Sequence, residues 1–178
     1  MFFLGIDPGS SDRTGFAIKT GDSFERVESC ELWEFFEIAK EMITKGVLVV
    51  IEDPNMDSTV FRGRTNMHGI TLKDYRQDMM MAQSVGKNKG VASAILTFFA
   101  AHKVDVLCIA PSSRKQVTNK TCSLAPYNMP TKCSHEQFIE FTKYGKQTNE
   151  HGRDAAMLIA TMTSIKFNVL LKLQKAKK

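Results

Sequence analysis

Apolar positions follow two rhythms along the chain. Two short runs, FFLGI from Phe2 and TGFAI from Thr14, flank a turn rich in Gly, Ser and Asp. Runs of that length between such residues predict a β-hairpin whose first strand closes on Asp7. A weaker third strand is predicted from Phe24 to Cys30. The rhythm then changes. Leu32, Phe35, Phe36, Ala39, Met42 and Ile43 recur at helical spacing, opposed by Glu34, Glu37, Lys40, Glu41 and Lys45, with Gly46 placed to end the helix. VLVVIE, from Val47, is a continuous apolar strand of the kind buried on both faces of a sheet, and it too ends on a carboxylate, Glu52.

From Asp53 to about Asp78 the pattern is polar and irregular, with Arg62, Arg64, Lys73 and Arg76 interleaved with Phe61, Met67 and Tyr75, which predicts a long loop. A helix follows from about Met79 to Ala101, with an apolar stripe of Met81, Val85, Ala92, Ile95, Leu96 and Phe99 and a separate strip of small residues, Gly86, Gly90 and Ser93. That strip admits the close approach of another backbone, either the protein's own sheet or a partner. VDVLCIAP is a last strand ended by Pro111. CSLAPYNMP is loop, and Ser134 with Gln137 three residues on forms a capping box for a helix that stops near Gly145. The final helix starts near Asn149, and its tail, LLKLQKAKK, is expected to fray.

With 178 residues, 43% of them apolar, the chain can bury a sizeable core, and one domain over residues 1–165 with a basic tail over 166–178 is the expected organisation. No apolar run is long enough to span a bilayer and no signal-like pattern opens the chain, so a cytoplasmic protein without a membrane partner is expected, nucleoid-associated or, for a viral chain, in the host cytoplasm. The four cysteines lack a CxxC spacing and are expected as free thiols. Cys122, Cys133 and His135 likewise lack the spacing of a zinc site. Charge is strongly divided: residues 1–59 carry 12 acids against 5 bases, and residues 60–178 carry 19 bases against 7 acids. A basic portion of this kind suits nucleic acid, or less well an acidic membrane surface.

The candidate chemistry lies in the carboxylates. On the last helix His151 and Asp154, three residues apart, share a face that continues through Leu158, Met162 and Ile165. That apolar stripe must pack on the sheet, which carries both polar groups toward Asp7 and Glu52 at the ends of parallel neighbouring strands, where ligand sites of such sheets lie. Three carboxylates and an imidazole gathered there repel one another unless a hard divalent cation binds them, and Mg2+ or Mn2+ suits an oxygen-rich site with open positions.

GIDPGSSDRTGFAI, VVIEDP and HGRDAAMLIA resemble the three acidic motifs of the RuvC family of Holliday-junction resolvases, and QSVGKNKGVASAI resembles that family's long-helix motif. The resemblance implies an α/β ribonuclease H-like fold, a mixed five-stranded sheet flanked by helices. It implies that Asp7, Glu52 and Asp154 are metal ligands, with His151 where another aspartate often stands, holding two Mg2+ ions for which Mn2+ can substitute. With two ions about 4 Å apart, one activates a water for attack on a phosphodiester and the other stabilises the leaving oxygen. Lys115, in APSSRKQ, is the candidate for gripping the phosphate at the cut. A homodimer packed through the long helix is implied as well, as are DNA contacts from basic residues after the fifth strand.

The candidate DNA-binding residues are Arg62, Arg64, Lys87, Lys89, Arg114, Lys115, Lys120 and Arg153, with Phe61 or Tyr75 stacking on an unpaired base, a contact worth about 1–3 kcal/mol. The expected activity is metal-dependent cleavage of four-way DNA junctions, with branched DNA as partner and no nucleotide cofactor. A ribonuclease H acting on RNA/DNA hybrids and a non-catalytic junction-binding module are the alternatives. An ATPase of the actin and sugar-kinase type needs two such domains, which this length does not provide.

Overall fold

A computed structural model describes residues 1–9, 13–56, 72–111 and 133–176, without the side chains of residues 72–75. Strands β1 (Phe2–Asp7), β2 (Arg13–Thr20) and β3 (Ser23–Glu31) form an antiparallel meander. Helix α1 (Leu32–Thr44) then crosses to β4 (Leu48–Glu52), which pairs parallel with β1. A single 3-10 turn (Pro54–Met56), the long helix α2 (Leu72–Ala101) and β5 (Val106–Ile109), parallel to β4, follow. Helices α3 (His135–Thr142), α4 (Glu150–Ile159) and α5 (Ser164–Lys175) complete the order. The sheet reads β3-β2-β1-β4-β5, a mixed five-stranded sheet flanked by helices, as the sequence predicts.

Alternation along the strands divides the core between the two faces. Leu4, Ile6, Phe16, Ile18, Val49 and Ile51 meet α1 and α2 on one face. Phe3, Ala17 and Val50 meet the C-terminal helices on the other. Because side chains alternate with period two, Asp7 shares a face with Phe3, and Glu52 with Val50. Both carboxylates therefore open toward α4.

The helix ends follow local chemistry. At α1, the Glu31 backbone N–H donates to the Glu34 carboxylate at 3.1 Å, half of a capping box, and Gly46 leaves the helix at φ +72. At α3 the box is the predicted one: Gln137 N–H donates to Ser134 Oγ, and Ser134 N–H to Gln137 Oε1 at 2.9 Å.

Four expectations need correction. Helix α2 begins at Leu72 rather than near Met79, since no proline or glycine interrupts the segment before Gly86. Its apolar stripe also starts late. Met81 is 55% exposed and the buried residues of the stripe are Ala92, Ile95 and Phe99, so among the described side chains burial falls in the C-terminal half of the helix.

The final helix is two. After α4 the chain turns by 90°, and α5 starts afresh from the Thr163 N-cap. Its tail does not fray through Lys175, because Phe167 and Leu170 enter the core. The Cys108 N–H donates to Gln174 Oε1 at 2.8 Å and Gln174 Nε2 donates to the Val106 carbonyl at 3.1 Å. One side-chain amide thus stands in for a neighbouring strand at the open edge of the sheet. Among the described residues no single helix is long and apolar enough to cross a membrane.

Candidate active site

Glycines decide how α4 meets the sheet. A Cβ on Gly5 would stand 2.2 Å from the Ala155 carbonyl oxygen, and one on Gly15 would stand 2.2 Å from that of His151. From the helix side, a Cβ on Gly152 would stand 2.8 Å from the Glu28 nitrogen. Helix backbone therefore lies directly on strand backbone across β1, β2 and β3, an approach open only to residues without side chains. Asn149 begins the helix by accepting from the Gly152 N–H at 2.7 Å, and its own amide donates to Ser29 Oγ at 3.0 Å. At the other end Lys19, 3% exposed, donates to the Ala160 carbonyl at 2.9 Å. Its ammonium closes the helix C-terminus, where a positive charge is favoured, although burial lowers the lysine's pKa.

This clamp brings the first turn of α4 over the end of β1. His151 Nδ1 lies 3.2 Å from Asp7 Oδ2. The hydrogen bond to Asp7 raises the imidazole pKa above its usual value, against the opposing effect of burial, and the charges of Asp7, Glu150 and Asp154 add to the rise. Asp7, Glu52 and Asp154 are buried, at 7%, 9% and 1% exposure. The parallel register that pairs Ile6 with Ile51 carries Asp7 and Glu52 to the same level of adjacent strands. Buried carboxylates from two neighbouring strand ends and from a helix clamped over one of them thus lie at one pole of the sheet, with an imidazole bound to one of them.

The donor set suits a hard cation in its chemistry, with carboxylate oxygens and one imidazole nitrogen. As placed, no three His, Cys, Asp or Glu side chains among the described residues converge closely enough to hold one ion. A cation held by Asp7 and His151 would have to displace the hydrogen bond between them. Burial pushes the Cys30 thiol up to about 11, which leaves little thiolate at neutral pH.

The other predicted site residues divide clearly. Phe61, Arg62, Arg64, Arg114, Lys115 and Lys120, with Cys122 of the discounted zinc set, lie outside the described residues, as does the side chain of Tyr75. Lys87 is exposed and Lys89 half-buried on α2. Arg153 is half-buried, with Nε donating to the Cys133 carbonyl at 3.3 Å and Nη1 to the Thr148 carbonyl at 3.0 Å, so it ties the chain just before α3 to the chain just before α4.

Sequence reasoning missed Asp53 and Asn55. The Asp53 N–H donates to the Ile109 carbonyl at 2.8 Å, and its carboxylate accepts the Asn55 N–H at 2.9 Å. The Asn55 amide reaches Ser93 Oγ at 3.3 Å. The residues directly after Glu52 are in this way tied to both β5 and α2. The signal was present, since Asp before Pro54 is a capping pattern.

No family model matches the sequence, and no curated protein matches it. Among solved structures, Thermus thermophilus RuvC in complex with a Holliday junction substrate aligns over 98% of this chain and 96% of that one, with a TM-score of 0.52 and 14% identity. The fold is ribonuclease H-like. A second Thermus thermophilus RuvC structure aligns over 98% of this chain and 97% of its own with a TM-score of 0.47 and 14% identity.

Proposed function

We propose that this chain is a metal-dependent endonuclease that resolves four-way DNA junctions. The observation that carries the reading is the placement of Asp7, Glu52 and Asp154 as buried carboxylates at one pole of a RuvC-like fold. Carboxylate oxygens gathered at neighbouring element ends are the donor type that a hard divalent cation takes. One structural neighbour is a RuvC bound to a Holliday junction, which makes branched DNA the first substrate class to test.

Asp7, Glu52, Asp154 and His151 are the proposed ligands. Mg2+ or Mn2+, two ions per site by the sequence resemblance, supplies Lewis-acid polarisation of the phosphodiester and lowers the pKa of water. The residues of the chain provide the rest. The α4 clamp on Gly5 and Gly15 fixes the height of His151 and Asp154 above the strand ends. Asp53 and Asn55 restrain the backbone that carries Glu52. His151 holds a proton at Nδ1 against Asp7 or releases it as that bond is exchanged for a ligand. Lys115 is assigned to the phosphate at the cut.

A homodimer belongs to the same proposal. The N-terminal half of α2 exposes Met79, Met80 and Met81 at 47%, 69% and 55%. Among the described residues nothing lies within 4 Å of where a Cβ on Gly86 or Gly90 would stand, which suits the close approach of a second helix.

The test is incubation with labelled four-way junctions, flaps, duplexes and RNA/DNA hybrids in Mg2+ and in EDTA. Junctions should be cut in Mg2+ only. Asp7→Asn, Glu52→Gln and Asp154→Asn should each abolish cleavage while sparing junction binding. Near wild-type turnover in any of the three refutes the ligand assignment, and cleavage confined to hybrids replaces the substrate.

A further inference from the structure

Helix α5 carries two apolar faces, and the core uses only one. Phe167 and Leu170 are buried. Ile165, Val169 and Leu173, spaced by four, are 77%, 52% and 53% exposed, so they form a continuous stripe along the outer face. Single exposed aliphatics are ordinary, but an aligned row on one helix marks a contact surface. Lys172, exposed, borders the stripe on one side, and Lys166, half-buried with its ammonium donating to Thr161 Oγ1 at 3.4 Å, borders it on the other. Between Ser164 and Lys178 the sequence has five lysines and no acid.

The stripe faces away from the candidate active site. Helix α4 starts on Asp7 at the C-terminal end of β1 and ends where Lys19 holds the Ala160 carbonyl. Lys19 lies beside Thr20, the partner of Phe2 at the start of β1. Helix α5 then runs to Lys175, whose ammonium meets Asp105 at 2.7 Å just before β5. Both ends of α5 thus lie at the pole opposite Asp7 and Glu52.

We infer that the outer face of α5 docks this protein on the surface of an anionic lipid bilayer. Charge and apolarity together select that occupant. Duplex DNA offers phosphates for the lysines but no apolar layer for three aliphatics. A second α5 offers the apolar layer but sets lysines against lysines. An anionic bilayer offers both, acyl boundary beneath the stripe and headgroups for the flanking ammonium groups. At about 18 Å for 12 residues, α5 is too short to cross about 30 Å of hydrocarbon and must lie in the interface plane. This runs against the compositional expectation of no membrane partner, because the stripe becomes visible only once the inner face of α5 is known. It does not depend on the proposed nuclease activity.

Co-sedimentation of the full chain with vesicles tests it. Vesicles of equal phosphatidylglycerol and phosphatidylcholine should bind it at least about tenfold better than phosphatidylcholine alone. Val169→Asp should lower binding to the anionic vesicles by about tenfold or more, with melting temperature and junction affinity unchanged. Lys172→Gln should lower it by a smaller factor. Should Val169→Asp misfold, Leu173→Ser takes its place. Failure to bind anionic vesicles overturns the inference, as does binding that survives loss of the stripe. A loss of junction affinity or of self-association in the stripe variant assigns the face to DNA or to a second copy and overturns it too.

Discussion

His151 is where this site departs from an all-carboxylate set, and its bond to Asp7 makes the departure measurable. A pKa raised on folding means that the folded state binds the proton more tightly than the unfolded chain. The resulting stabilisation is complete below the unfolded value near 6.5 and is lost as pH rises through the higher folded value. In EDTA, therefore, the stability advantage of wild type over His151→Ala should be greatest on the acid side of the ordinary imidazole range and shrink as pH rises through and above it. Chemical denaturation across that range checks it, and a constant difference excludes the ion pair as the source. Catalysis asks a separate question. If His151 completes the ligand set, His151→Asp should keep substantial cleavage while His151→Ala loses most of it. If it moves protons, Asp should be as poor as Ala and the wild-type rate should inflect near the imidazole pKa. Cleavage by both variants in Mg2+ and Mn2+ across pH separates the roles.

At the scale of elements, the decisive contact is α4 on the sheet. Gly5→Ala forces a carbon into the Ala155 carbonyl, backbone against backbone, and neither side can rotate away. Overpacking of this kind costs about 1–3 kcal/mol and occasionally more; the upper end is expected here, read from urea unfolding. The lift of α4 should also reduce cleavage, since it moves His151 and Asp154 away from Asp7. Gly86→Ala on α2 should behave oppositely. No described residue lies within 4 Å of a Cβ there, so the dilute protein should gain up to about 1 kcal/mol from the helix propensity of alanine. If α2 pairs with a second copy through this strip, the same methyl should weaken association, which sedimentation velocity over a concentration series reports. A stability gain with association unchanged removes the strip from the dimer contact.

For the whole molecule, the division of charge is the governing feature. The acids of the first 59 residues supply the candidate ligand carboxylates Asp7 and Glu52 and the outer face of α1, whereas the later residues carry 19 bases against 7 acids, a balance that suits a polyanion. Binding to a junction should consequently weaken steeply with salt, because each neutralised phosphate releases counterions. A plot of log affinity against log salt with a slope of about −4 or steeper is expected for several phosphate contacts. A flat plot contradicts a phosphate-reading surface. Edge protection belongs to this scale as well, since Gln174 closes β5 from a helix far along the chain.

What the chain revealed without coordinates is what depends on local periodicity. The alternation in β1 and β2, the continuous apolar run of β4, the face of α1 and the capping box at Ser134 are each dictated by neighbours within a few residues, and each was legible. So were Asp7 and Glu52, since an apolar strand that stops on a carboxylate is visible in one dimension. Tertiary structure decided what depends on contacts between distant residues. It set the 90° turn that separates α4 from α5, the two-sided apolarity of α5, the local bracing by Arg153, and the late burial of the α2 stripe. In each of these the deciding partner, whether a strand edge, a carbonyl or the limit of the body, lies far along the chain. The reason Gly5 and Gly15 are glycines is of the same kind: the atoms they make room for belong to Ala155 and His151, and no pattern within β1 or β2 could announce them.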